Sequence, residues 1–227
     1  MDIELVVFDM AGTTVADCGN VNKAFRDAFF SAGIDVSENE VNKVMGYRKI
    51  DAVTIIVDQY TSKFNGNSNT TIARIHEQFN REMVSFYKND TSLKPLPFAE
   101  EIFQQLQARG IKVALNTGFT REITDAILKR LEWEYNSSID KVICSDEVPE
   151  GRPHAYMIQS IMQQLGLSDV TKVVKVGDTE VDVLEGQNAG CGIVVGVTTG
   201  AYSHEQLAKY KPDFIISSLQ ELPAIIQ

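Results

Sequence analysis

Cysteine, histidine and tryptophan are scarce in this chain, and long apolar runs are missing. Three cysteines (Cys18, Cys144 and Cys191) among 227 residues are odd in number and fall in no metal or redox motif. That usage excludes a disulfide framework and fits a reducing compartment. No window approaches the roughly twenty apolar residues of a membrane span, and Met1-Asp2-Ile3-Glu4 lacks the basic start of a secretory signal. The expected location is cytoplasmic. Positive charge is also short, with 21 Lys and Arg against 31 Asp and Glu and a net charge of −10. Such a balance argues against nucleic acid or an anionic membrane as a partner. An anionic ligand would therefore need a site made locally cationic by a few side chains or a metal ion.

What is present is ordinary globular composition, 44% hydrophobic and 23% charged, in a length that suits one large domain or a core with a smaller insertion. The run Leu5-Val6-Val7-Phe8 reads as a short strand buried on both faces. It ends abruptly in Asp9-Met10-Ala11-Gly12-Thr13-Thr14. After it the apolar spacing becomes helical. Val21, Ala24, Phe25, Ala28 and Phe29 mark one helix closed by Gly33, and Ser37 with Glu40 forms a capping box for a second. Ile50 to Tyr60 mark a third helix, residues 64–69 a loop, and Ile72 to Phe86 a long fourth helix ending near Asn89.

From Lys94 onward strands and helices alternate. Strands are expected at 112–115, 141–144, 172–176, 192–197 and 214–216, and helices at 98–109, 120–132, 153–165 and 180–189. Alternation of this kind implies parallel βαβ units. The expected architecture is therefore an α/β fold with a Rossmann-like parallel sheet core, residues 1–15 and 90–227, and an inserted all-helical cap domain, residues 16–89.

Four polar punctuations follow the strands: Asp9 to Thr13, Asn116-Thr117-Gly118, Glu150-Gly151-Arg152-Pro153, and Gly177-Asp178-Thr179-Glu180-Val181-Asp182. A parallel sheet brings them to one edge, where ligands of open α/β folds bind. Together they offer carboxylates for a divalent ion, a hydroxyl, a guanidinium and accessible backbone amides. Mg²⁺ takes such oxygen ligands, and Arg with backbone amides offsets the charge on phosphoryl oxygens. A carboxylate is then left to act as a nucleophile. Taken singly, Arg152 reads as a surface ion pair and Thr117 as a turn hydroxyl; the four in this order read as a phosphoryl-handling site.

In this order the motifs resemble the haloacid dehalogenase-like superfamily. The resemblance implies Asp9 as nucleophile, with Asp9, the Ala11 carbonyl and Asp178 on Mg²⁺ and Asp182 as a further or water-mediated metal partner. Gly12, Thr13, Met45 and Gly118 complete the expected set as substrate-binding positions, with Thr117 and Arg152 as catalytic ones. Phosphatases of the superfamily carry a second acid two residues after the nucleophile, and here that residue is Ala11. The Asp-x-Ala-Gly-Thr form, Met45-Gly46-Tyr47-Arg48-Lys49-Ile50-Asp51, Thr117 to Glu122 and Asp146 to Pro153 are similar to the phosphonoacetaldehyde hydrolase (phosphonatase) branch. There a cap lysine forms a Schiff base with the substrate aldehyde, and Lys49 falls on that lysine.

Such chemistry explains how a lysine can stand in for an acid. The leaving group of carbon–phosphorus cleavage is a carbanion, and an iminium two bonds from phosphorus accepts its electron pair. Lys49 must then be neutral, which burial beside other cations favours. The branch carries a His three residues after the lysine and a Tyr after the Thr-Gly, where this chain has Ala52 and Phe119. The expected substrate is accordingly a small organophosphorus compound, phosphonoacetaldehyde or another 2-oxoalkylphosphonate. A phosphomonoesterase of the same superfamily is the alternative, followed by a non-catalytic phosphate or phosphonate binder; the metal motif speaks against a dehalogenase. The resemblance also raises a homodimer through the cap. His76, His154 and His204 read as solvated or structural, and Trp133 as packing.

Overall fold

The computed structural model describes residues 2–60 and 68–226. Six strands, β1 (Leu5–Phe8), β2 (Lys112–Thr117), β3 (Lys141–Cys144), β4 (Val173–Gly177), β5 (Ile193–Val197) and β6 (Phe214–Ile216), form one parallel sheet in the order β3-β2-β1-β4-β5-β6. β1 is central and wholly buried. The chain leaves it toward β2 and β3 on one side, then returns to β4 on the other. This reversal opens a crevice beyond the carboxyl ends of β1 and β4.

Helices cover both faces. α5 (Ala99–Ala108) packs on β2, α6 (Arg121–Arg130) on β3, α7 (Tyr156–Leu165) on β2 and β3, and α8 (Glu180–Ala189) on β4 and β5. Side chains of β1 alternate between two apolar clusters, Val6 and Phe8 facing one and Leu5 and Val7 the other. Phe8 meets Phe103 edge-on at 5.4 Å, and Phe103 meets Trp133 at 5.5 Å. Trp133 packs as expected, with Nε1 donating to Glu100 Oε1 at 2.7 Å.

Between β1 and α5 the described residues form four helices and no strand: α1 (Asn20–Ser31), α2 (Glu38–Asn42), α3 (Lys49–Gln59) and α4 (Ser68–Asn89). Phe25 of α1 stacks obliquely on Phe79 of α4, centroids 4.3 Å apart, and α3 packs on α4 as well. α4 also lies against α6, joining this layer to the sheet. The Ser37–Glu40 capping box is formed at α2, a device contributing about 1 kcal/mol.

Several boundaries differ from the sequence reading. α4 begins at Ser68, so Ser68 and Asn69 are helical, while the rest of the loop expected at 64–69 lies outside the described residues. β2 runs two residues further than expected because pairing of Asn116 with Ile143 and Thr117 with Cys144 extends the ladder. α7 starts at Tyr156 rather than 153. Residues 151–154 form a turn instead, with His154 N donating to Gly151 O. Two short helices, α9 (His204–Ala208) and α10 (Leu222–Ile225), were not anticipated. Of the cysteines, Cys144 is buried, Cys191 is intermediate and Cys18 is exposed.

The segment before α3 touches the sheet edge at bare backbone. Gly46 has φ 84°, and a Cβ there would overlap Thr179 Oγ1 and Val181. A Cβ on Gly118 would overlap the carbonyls of Gly46 and Tyr47. Gly46→Ala therefore combines a left-handed backbone with a steric clash, and should destabilise the fold by roughly 1–3 kcal/mol. Thermal denaturation of the variant checks this; an unchanged midpoint would contradict the geometry.

Candidate active site

Asp9 and Asp178 stand where β1 and β4 end, on the two sides of the crevice. Asp182, one turn into α8, lies beneath them, and one carboxylate oxygen from each of the three falls within 4.8 Å of the others. A cavity of about 250 Å³ opens above this cluster. Its floor includes Asp9, Ala11, Gly12 and Asp178; its side wall includes Thr117 and Gly118; its roof, from the helices between β1 and β2, includes Met45 and Lys49. Three residues expected at the site stand behind this surface instead: Thr13, Arg152 and Asp182.

Arg152 is buried and engaged on all three nitrogens. Nη1 donates to Asp9 Oδ1 at 2.6 Å and lies 3.0 Å from Asp182 Oδ1, Nε donates to Glu185 Oε2 at 3.0 Å, and Nη2 donates to Asn116 O and Oδ1. It acts on the cavity through Asp9, whose second oxygen it leaves free. Thr13 Oγ1 likewise donates to Asp178 Oδ1, at 3.1 Å, and Ala201 N donates to Asp178 Oδ2. Thr117 Oγ1 accepts from Phe119 N and so shapes the turn after β2.

Two participants escaped the sequence reading. Lys175, in the middle of β4, donates to Asn116 Oδ1 at 2.7 Å and lies 3.0 Å from Asp182 Oδ1 and 3.2 Å from Glu185 Oε2. Glu185 accepts from Asn116 Nδ2 and Arg152. Both are fully buried. The signal was there: a lysine inside Val173-Val174-Lys175-Val176 has to be paired to be buried, and Glu185 falls one helical turn after Asp182.

The charges do not balance. Four buried carboxylates, those of Asp9, Asp178, Asp182 and Glu185, face two buried cations, Arg152 and Lys175. Burial tends to raise the Asp182 carboxyl, but Arg152 and Lys175 outweigh it and hold it below the ordinary range. Asp9 is held above that range, chiefly by burial, with Arg152 pulling back and Asp182 pushing further. Asp178 has no cationic partner and is pushed well up by burial and by Asp9 and Asp182. Even with the buried Lys49 across the cavity, carboxylates outnumber cations, and that surplus suits a hard divalent cation.

Lys49 is the first residue of α3 and is 4% exposed. Its backbone N–H donates to Gly118 O at 3.2 Å, fixing it against the sheet edge. Nζ lies 5.6 Å from the Phe25 ring centroid and 5.1 Å from that of Phe119. Among the described residues it has no hydrogen-bond or ion-pair partner. Burial, assisted by Arg152 and opposed by Asp9, Asp17 and Asp178, lowers its pKa from an ordinary 10.5 to about 8. Neighbouring residues pin the same segment down. Tyr47 OH donates to Glu180 Oε1 at 3.0 Å, and Arg48 Nη1 donates to Pro149 O at 3.1 Å. His154 is exposed beside Glu150, and none of the three histidines lines the cavity.

A parallel sheet with its acids at this crevice defines a class, and comparison with known proteins agrees with it. Residues 6–196 match the family model described as haloacid dehalogenase-like hydrolase. The chain belongs to that family and is a hydrolase of it. Phosphonoacetaldehyde hydrolase of Bacillus cereus (strain ATCC 10987 / NRS 248) is 31% identical over 223 residues, covering 93% of this chain and 83% of the relative. A phosphonoacetaldehyde hydrolase-like protein from Oleispira antarctica superimposes with a TM-score of 0.86 at 23% identity, over 100% of this chain and 92% of the other. A predicted phosphoglycolate phosphatase from Haemophilus somnus shares the fold at a TM-score of 0.82 and 22% identity, over 100% of this chain and 99% of the other. No described helix is long and apolar enough to cross a membrane.

The uncompensated Asp178 leads to a crossed expectation. In chelator, Asp178→Asn should melt at or above the unaltered protein, because it removes like-charge repulsion. With saturating divalent cation only the unaltered protein should gain stability, by about 2.7 kcal/mol at a hundredfold excess over Kd. Thermal melts with and without Mg²⁺ check both; an equal gain in the variant would show that the cation binds elsewhere.

Proposed function

We propose that this hydrolase cleaves the carbon–phosphorus bond of a 2-oxoalkylphosphonate, phosphonoacetaldehyde or a relative, using a Schiff base on Lys49 and an aspartyl phosphate on Asp9. The observation that carries the reading is Lys49 itself. A buried amine with no side-chain partner among the described residues, lowered from 10.5 to about 8 and lining the same cavity as Asp9, gives up its proton far more readily than an ordinary lysine. On this reading the helices of residues 16–89 act as a cap that closes over a small organophosphorus substrate. The curated relative's name supports the same chemistry.

The phosphoryl group would lie over Asp9 and the carbonyl carbon beneath Lys49. The Lys49 amine condenses with that carbon and releases water, leaving an iminium two bonds from phosphorus. The free oxygen of Asp9 attacks phosphorus while Arg152 holds the other. The electron pair of the breaking bond moves into the iminium and gives an enamine, so no proton donor is needed at the leaving atom. This accounts for Ala11 at a position where an ester-cleaving acid would stand. Water then hydrolyses the aspartyl phosphate, and the enamine is protonated and hydrolysed to the free carbonyl product. Asp9, Asp178 and the Ala11 carbonyl, with Asp182 behind them, would hold Mg²⁺, which when bound supplies positive charge against the phosphoryl oxygens and keeps the carboxylates ionised. Phe25 and Phe119 exclude water from the amine, and Gly12 and Gly118 border the cavity.

Lys49→Arg keeps the charge and removes the nucleophilic amine. It should abolish phosphate release from phosphonoacetaldehyde and the borohydride-trapped adduct, whereas Asp9→Asn should abolish release alone. Release by the unaltered protein should rise with pH through about 8 as the amine loses its proton. Turnover of phosphate esters that survives Lys49→Arg, without any turnover of the phosphonate, would favour a phosphomonoesterase instead.

A further inference from the structure

Imine formation on Lys49 needs a group that moves protons. One must leave the ammonium before attack, and one must reach the carbonyl oxygen before it departs as water. The carboxylates already described are committed: Asp9 to Arg152, Asp178 to Thr13 and Ala201 N, and Asp182 and Glu185 behind the cavity surface. Two other acids border the cavity, Asp17 and Glu38. Glu38 is exposed, and the group it contributes inward is its carbonyl, which accepts from Asn22 Nδ2 at 3.1 Å.

Asp17 is different. It is half-buried in the turn that leads into α1. Its Oδ1 accepts from Asn20 N at 2.9 Å and Val21 N at 3.3 Å, capping the helix. Both of these hydrogen bonds use Oδ1, so neither occupies Oδ2. Asp17 and Lys49 line one cavity without touching, and each charge favours the ionised form of the other. Burial raises the Asp17 carboxyl above its ordinary range, while the N–H groups of residues 19–21 and Lys49 pull it back. The other titratable group facing it is Tyr87 of α4, a buried hydroxyl that both Asp17 and Asp9 raise further.

We propose that Asp17 is the acid–base residue of imine formation, exchanging protons through Oδ2 with the Lys49 nitrogen and the departing carbonyl oxygen. The assignment rests on the Schiff-base reading above. Asp17 as carboxylate takes one proton from the Lys49 ammonium. The freed amine attacks the carbonyl carbon as the carboxylic acid returns that proton to the oxygen. Asp17 then takes a second proton from the nitrogen and delivers it to the hydroxyl, which leaves as water. The product is the iminium, and the carboxylate is regenerated. One positive charge enters on the ammonium and one remains on the iminium, so the step needs no other reactant.

The test is borohydride trapping of the full-length protein with phosphonoacetaldehyde and Mg²⁺, followed by mass spectrometry across a pH series. Asp17→Asn keeps an oxygen for the helix cap but cannot titrate, and Asp17→Ser caps with a hydroxyl. Both should trap Lys49 about a hundredfold more slowly and release phosphate more slowly by the same factor. Asp17→Glu should restore part of the rate. Without the carboxylate that favours its ammonium form, Lys49 should also lose its proton at lower pH. Trapping of both variants at the unaltered rate with an unchanged pH profile would overturn the role of Asp17 while leaving Lys49 in place. Absence of any Lys49 adduct in the unaltered protein would instead overturn the Schiff-base reading, and the role of Asp17 with it.

Discussion

The guanidinium of Arg152 is the interaction on which the rest of this site depends. It is buried beneath the crevice and joins the ends of three strands through Asp9 on β1, Asn116 on β2 and the α8 acids that follow β4. A charge buried in this way is tolerated only because every nitrogen has an anionic or carbonyl partner. Lys175 repeats the arrangement from inside the sheet, sharing Asn116, Asp182 and Glu185 with Arg152. The two cations hold Asp182 and Glu185 as a rigid layer behind the cavity. Asp9 and Asp178 are thereby kept at its floor, one with half a counter-charge and the other with none.

The imbalance gives the site its chemical character. A protein with no charged ligand to bind would gain little from placing a fourth carboxylate opposite two cations. Asp178 makes the metal-free arrangement costly, a cost that a divalent cation held there would remove. The roof is built on the opposite principle. Lys49 sits among aromatic rings with no partner of its own, and its backbone and neighbours are clamped through Gly118, Pro149 and Glu180. Carboxylates below and a buried amine above border one small cavity. Gly46 and Gly118 make the fit close, because neither side of that contact can carry a side chain.

Much of this was legible from the chain alone, and the reason is local. Strand and helix periods, the capping box at Ser37 and the polar residues that end the strands are short-range features, and the structure reproduces them with shifts at the ends. One of those shifts is not local: Asn116 and Thr117 join β2 because β3, 27 residues on, pairs with them. Parallel alternation was enough to gather Asp9, Thr117, Arg152 and Asp178 at one sheet edge. The order of their motifs was enough to place the chain among haloacid dehalogenase-like hydrolases.

Depth and pairing were not legible, because both depend on residues far apart in sequence. Spacing could not show that Arg152 and Thr13 face carboxylates behind the cavity surface, or that Lys175 is paired with Asp182 and Glu185. Nor could it show that Asp17 shares a wall with Lys49, since their proximity follows from how α1 and α3 pack against α4. The sequence by itself determined the class of fold, the edge at which chemistry collects and the acids available there, through periodicities that act over a few residues, while Lys49 stood out only through the family resemblance. The tertiary structure alone decided which charges are compensated, which oxygen of each carboxylate is free and how far burial lowers Lys49, because desolvation and ion pairing exist only once distant segments have excluded water between them.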